Sequence, residues 1–185
     1  MSTSLELFVL AMVRHGLETP YDLKTKAGLS LGSTVPALAR LEKDGLVKAS
    51  EEGARRSRKF SITAKGAKVL AQEWPRHLTS DLTDLDSILR VAFLAWMHGD
   101  GKACQEFLKR SAGSLRGWAG SLRAESERLS SKVASAADGT AFVWMNKRCE
   151  ASRAEADAAA LTELSAQIGK RSGAKRRTNA SARTR

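Results

Sequence analysis

Residues 30–62 read SLGSTVPALARLEKDGLVKASEEGARRSRKFSI, and within them the spacing of apolar side chains changes period. Val35, Leu38 and Leu41 recur at three-residue steps, which reads as one face of a helix. Ser30, Ser33 and Thr34 are all competent N-caps, Arg40, Lys43 and Asp44 fall on the polar face, and Gly45 suits the position just past the helix end. Pro36 is awkward, because a proline well inside a helix costs about 3 kcal/mol. Either the helix starts near Ser33 or its first turn is unusual. From Leu46-Val47 the period falls to two. Glu51-Glu52-Gly53 makes a turn, and Arg56, Arg58, Phe60 and Ile62 share one face of the returning strand, with Ser57, Lys59 and Ser61 on the other. A helix that runs straight into a β-hairpin is the feature from which the rest is read.

Upstream lie two more helices. Leu5, Phe8, Val9, Met12 and Val13 have helical spacing and Gly16 ends them. Thr19 then caps a second helix with Pro20 at its first position, where the missing N–H costs nothing, and Asp22 in the first turn suits the helix dipole. Tyr21, Leu23 and Ala27 are expected to face inward, and Gly28 stops the chain. Downstream, Thr63 caps a helix carrying Ala67, Leu70, Ala71 and Trp74 until Pro75 disturbs it. Three helices, a hairpin and a helix, with a tight second connection, make a winged helix-turn-helix over residues 1–78.

Residues 79–168 read as purely helical. Leu82, Leu85, Leu89, Ala92, Phe93 and Trp96 form one apolar series before Gly99-Asp100-Gly101. Leu108, Leu115, Leu122 and Leu129 then follow at seven-residue intervals, accompanied by Cys104, Ser111 and Trp118. This is a helix-pairing seam, and Leu108, Leu115, Trp118, Leu122 and Leu129 are the expected dimerisation residues, unless the seam packs only within its own chain. After Ala137-Asp138-Gly139 a last helix over 140–168 places Met145, Cys149, Ala156, Ala160 and Leu164 near one face. Residues 169–185 are expected to be a basic disordered tail. The fold class is therefore mainly α with a small β-hairpin wing, an N-terminal winged helix-turn-helix followed by a helical dimerisation domain.

The formal charge is +11, but Lys170, Arg171, Lys175, Arg176, Arg177, Arg183 and Arg185 supply seven of it, leaving +4 for the rest. Local arrangement has to carry any case for a polyanionic partner. No stretch approaches the roughly 20 apolar residues of a membrane span, and Leu5–Val13 reads as a core helix, not a signal peptide. Cys104 and Cys149 form no CxxC and suit reduced packing residues in a cytoplasmic protein. His15, His77 and His98 have no metal-ligand spacing, and neither a phosphate loop nor a GxSxG elbow occurs, so neither enzyme activity nor a cofactor is expected. Asp81, Asp84 and Asp86 cluster where acids suit a helix start.

In order and spacing, Tyr21-Asp22-Leu23, then Pro36-Ala37-Leu38 with Leu41-Glu42 and Gly45-Leu46, then Arg58-Lys59-Phe60 and Thr63-Ala64-Lys65-Gly66 resemble the PadR family of regulators, over about the first two-fifths of the chain. Two positions depart. Val35 stands where an aromatic is common, and Thr19-Pro20 replaces the more usual His-Gly. The resemblance implies a DNA-binding transcription regulator, by expectation a repressor. Some members respond to small aromatic or cationic compounds held between two protomers. Trp74, Trp96, Trp118 and Trp144 are then candidates to line such a pocket, though aromatics at helical spacing also serve as plain core.

In a winged helix the third helix enters the major groove and the wing grips the backbone. Ser33, Thr34 and Ala37 are short enough for close approach to base edges, although Ser33 and Thr34 also suit capping. Arg40 reaches a phosphate or a guanine edge. Tyr21 either donates to a phosphate or is a half-buried core tyrosine. Arg55, Arg56, Arg58 and Lys59 crowd the wing. Four phosphate contacts from each of two subunits would give a salt slope of at most about −7. One helix and one wing read only a few base pairs, so a homodimer on a palindromic double-stranded operator is expected. The alternatives are a winged-helix protein–protein adaptor, which has no need of a basic wing, or a sequence-unspecific nucleic-acid-binding protein.

Overall fold

The computed structural model describes residues 2–50, 58–131, 133 and 139–182, and the side chains among them up to 170. The described elements are α1 (Ser4–Arg14), α2 (Pro20–Ala27), α3 (Leu31–Lys43), β1 (Val47–Ala49), β2 (Phe60–Ile62), α4 (Ala64–His77), α5 (Leu85–Met97), α6 (Gly101–Ser130) and α7 (Gly139–Ala182). They group into two compact units. The first is residues 1–80 with 89–98, and the second is residues 81–88 with 99–185. The sequence divides the chain at residue 78 and gives all of α5 to the helical half; the structure assigns most of that helix to the N-terminal unit.

In the first unit α1 is the axis. Leu7 to Val13 are buried without a break, so this helix has no solvent face along that run. Thr3 and Glu6 close its N-terminus as a capping box, each side chain meeting the other residue's backbone N–H. Thr19 caps α2 by accepting from the Asp22 N–H at 3.0 Å, with Pro20 at the first position. Gly28 ends α2 at φ +70°, in the left-handed region. The turn into α3 needs only Gly28, Leu29 and Ser30, and Ser30 is the cap of α3. That helix therefore starts at Leu31, with Pro36 inside it, earlier than the start near Ser33 that the proline suggests. Proline has no N–H, so the Gly32 carbonyl lacks its usual donor four residues on, and Gly32 is exposed.

The hairpin pairs Val47 with Ile62, Lys48 with Ser61 and Ala49 with Phe60. Ser50 N–H donates to the Lys59 carbonyl at 2.7 Å, and Phe60 N–H donates outward to Glu18 at 2.7 Å. The hairpin is thereby tied to the α1–α2 connection. The turn expected at Glu51-Glu52-Gly53 lies outside the described residues. Thr63 caps α4, and a Cβ at Gly66 would lie 2.0 Å from the Leu46 carbonyl oxygen. Only glycine lets α4 approach that closely. Pro75 does not end α4, which continues to His77. The buried residues of α5 include Ile88, Val91, Ala92, Leu94 and Ala95, while Leu89 and Trp96 are exposed, so the series predicted for its inner face is only partly inward. The helix is apolar nearly all round, which blurs its phase.

In the second unit Asp100 caps α6, which pairs with α7 as a long hairpin of helices. Leu108, Leu115 and Leu122 are buried there, together with Cys104, Ser111 and Ala119. The facing stripe of α7 is Ala151, Ala154, Ala158, Leu161, Ser165 and Ile168, alternating three- and four-residue steps. The expected stripe differs. Met145, Cys149, Ala156 and Ala160 are exposed, because the small residues of the other face allow a close approach to α6. The helical backbone of α7 runs to Ala182, past residue 168, where the sequence predicts a disordered tail. Residues beyond 168 include no proline and several strong helix formers, Ala, Lys and Arg. Ala137 and Asp138, expected at the break before α7, lie outside the described residues.

Candidate nucleic-acid interface

The phase of α3 is set by what it buries. Thr34 and Ala37 are 0% exposed, and Leu38 and Leu41 are each 1% exposed. Thr34 and Ala37 therefore cannot be the close-approach residues that their small size suggests. Thr34 Oγ1 instead donates to the Ser30 carbonyl at 2.7 Å, and Ala37 is core. Ser33 is half-buried and belongs to the cap, its N–H donating to Ser30 Oγ at 3.2 Å. The outward face holds Gly32, Val35, Pro36, Ala39, Arg40 and Lys43. Val35, which its three-residue step from Leu38 groups with the buried leucines, is instead 50% exposed and shares the outward face with Pro36, Ala39 and the Lys43 of the polar face. Tyr21 is 69% exposed, which rules out the half-buried core role and leaves its hydroxyl in solvent.

Arg40 is exposed on α3, and its Nε donates to Glu6 Oε1 at 2.7 Å. Burial works against ionisation of Glu6, but hydrogen bonds from the Thr3 backbone and from Arg40 outweigh it and hold the carboxyl below its usual value. At the base of the wing Arg58 forks onto Glu42, with Nη2–Oε1 at 2.7 Å and Nη1–Oε2 at 3.3 Å. Its guanidinium also lies 5.9 Å from the Phe60 ring centroid. Lys59 Nζ is 3.4 Å from Glu18 Oε2. Arg55 and Arg56 lie outside the described residues.

Among the described residues no group of three or more His, Cys, Asp or Glu side chains could hold a metal, and no helix is long and apolar enough to cross a membrane. Two of the three histidines have structural contacts. His77 Nε2 is 3.1 Å from the Ser2 carbonyl, and His98 stacks on Trp74 at 4.8 Å. Asp84 accepts from the Ser87 N–H at 2.8 Å, the role of a helix cap. Trp74 is buried, whereas Trp96 and Trp118 are 43% and 39% exposed. Of the expected dimerisation residues, Leu108, Leu115 and Leu122 are buried within one chain, Leu129 is half-buried and Trp118 is exposed.

No family model and no curated relative match this sequence. Among solved structures the chain is similar to PadR of Bacillus subtilis, crystallised in complex with operator DNA. The identity is 16%, over 89% of this chain and 98% of that one, with a TM-score of 0.36. It is also similar to a PadR-like transcriptional regulator from Bacillus cereus, at 18% identity over 92% of this chain and 98% of that one, with a TM-score of 0.36. Both carry the name of the family that the order of motifs resembles.

Proposed function

We propose that this chain is a DNA-binding transcription regulator that meets the major groove with the outward face of α3 and the flanking phosphates with its wing. The supporting observation is the exposed stripe Gly32, Val35, Pro36, Ala39, Arg40 and Lys43, on a helix whose opposite side is fully buried. An exposed, small-residue and basic stripe beside a hairpin is the shape that a groove accepts. Tyr21, Arg58, Lys59, and with them Arg55 and Arg56 further along the wing, would hold the backbone.

Action as a homodimeric repressor on a palindromic operator, with a small aromatic or cationic effector, is the finer form of this reading. It rests on the family resemblance and on the need for two half-sites. Since Leu108, Leu115 and Leu122 are already covered within one chain, a dimer would use other faces of α6 and α7, Trp118 among them.

The test is binding of the full chain to its own upstream DNA and to a scrambled duplex across a salt series. A Lys43→Ala variant should bind the upstream duplex more weakly. A variant with Arg55, Arg56, Arg58 and Lys59 changed to Ala should lose most affinity for both duplexes. Normal binding by the wing variant would sink the wing assignment, and equal wild-type affinity for both duplexes would favour sequence-blind binding.

A further inference from the structure

Three bases of the proposed surface are each held by an acid of the same unit. Glu6 in α1 takes Arg40, Glu42 in α3 takes Arg58, and Glu18 in the α1–α2 connection takes Lys59. The acids come from three separate segments, yet they converge on the side chains that a polyanion would contact. Stability alone gives little reason for this. Arg58 and Glu42 are 44% and 34% exposed, and Lys59 and Glu18 are 68% and 46% exposed. Pairs this open to water contribute little to folding. They are also weak enough for a phosphate to displace the carboxylate.

We infer that Glu42 and Glu18 set the DNA affinity of this protein by acting as built-in competitors for phosphate, each occupying in the free chain a base that DNA would otherwise take. The inference rests on the DNA-binding reading above. When a phosphate takes Arg58, Glu42 is left beside a polyanion and recruits a cation from solution. That uptake offsets the counterion release that drives backbone binding. Both affinity and salt slope are therefore smaller than the basic residues alone would give. The attenuated contribution is the sequence-blind one, so the protein is held less tightly on arbitrary DNA. Glu6 stands in the same relation to Arg40, but it also closes the α1 capping box and so cannot be changed without disturbing that helix.

The experiment measures binding of the full chain to a scrambled duplex, by fluorescence anisotropy, from about 50 to about 200 mM salt. Wild type is compared with Glu42→Gln, Glu18→Gln, Arg58→Ala and the Glu42→Gln/Arg58→Ala double variant, each checked for wild-type helix content. Glu42→Gln is expected to bind more tightly and to steepen the salt slope by about 0.9 per pair released, which is about a threefold larger gain at the low end of the series. Glu18→Gln should act likewise through Lys59. In the Arg58→Ala background the Glu42→Gln effect should largely disappear. Unchanged or weaker binding by both glutamine variants would overturn the inference and make these acids mere positioning groups. An equal gain without Arg58 would overturn it too, because the carboxylate would then act only as a distant charge. Failure of the wild type and every variant to bind at the lowest salt would overturn the DNA-binding reading along with it.

Discussion

Two glycines show how differently one residue type is used in this chain. At Gly66 a methyl group would press within 2.0 Å of the Leu46 carbonyl oxygen, which is backbone and cannot swing aside. Gly66→Ala should destabilise the N-terminal unit by about 1–3 kcal/mol, the cost of overpacking a closed contact. At Gly113, inside α6, nothing lies within 4 Å of the added carbon. Gly113→Ala should stabilise by about 0.5–1 kcal/mol through helix propensity alone. Urea denaturation of both variants checks the pair, and a neutral Gly66→Ala would contradict the packing of α4 on the end of α3. Gly66 was visible in the sequence only as the end of a motif. The reason for it, a carbonyl twenty residues upstream, needed the fold.

Among the elements, what was legible depended on whether the signal is local. The caps at Thr19 and Thr63, the stop at Gly28 and the switch from helix to hairpin are written in neighbouring residues, and each is found in place. The outward face of α3 is not legible from side-chain size, because smallness suits burial as well as access, and Thr34 and Ala37 are both buried. The inner face of α7 was missed for a related reason. Its stripe is Ala151, Ala154, Ala158 and Ser165 with only Leu161 and Ile168 to mark it, so hydrophobicity scarcely separates the two sides. The α6 seam was found, but its partner lies in the same chain. Leu115→Ala should therefore cost about 2–5 kcal/mol, and the loss should not vary with protein concentration. A thermal midpoint of the variant that falls on dilution more steeply than that of wild type would instead place this leucine between two copies.

For the whole molecule, titrating groups set limits on both sides of neutrality. A backbone hydrogen bond from Ser2 holds the Glu73 carboxyl low, and Glu6 is held low against its burial by Thr3 and Arg40. Their contributions are fully present above the ordinary value of 4.5 and are lost as pH falls through the depressed folded values. At the other end, burial pushes the Cys104 thiol up from 9.0 to about 11, helped by Asp100. The folded state then keeps a proton that the unfolded chain releases, so stability declines as pH rises above 9.0. Urea midpoints measured across pH should be level between these limits and fall outside them, and Cys104→Ala should flatten the alkaline arm. The ion pairs among Glu6, Glu18, Glu42 and their bases were beyond sequence reading, since the partners are 34, 41 and 16 residues apart. A last consequence belongs to α1, which is buried all round by elements that follow it in the chain. During synthesis this apolar segment emerges ahead of its covering helix and meets it only when α4 has been made, some 60 residues later, or roughly 3–12 s at the usual pace of a ribosome. For that interval the future centre of the N-terminal unit is bare, and a growing chain in this state is a substrate for whatever shields apolar segments at the tunnel exit.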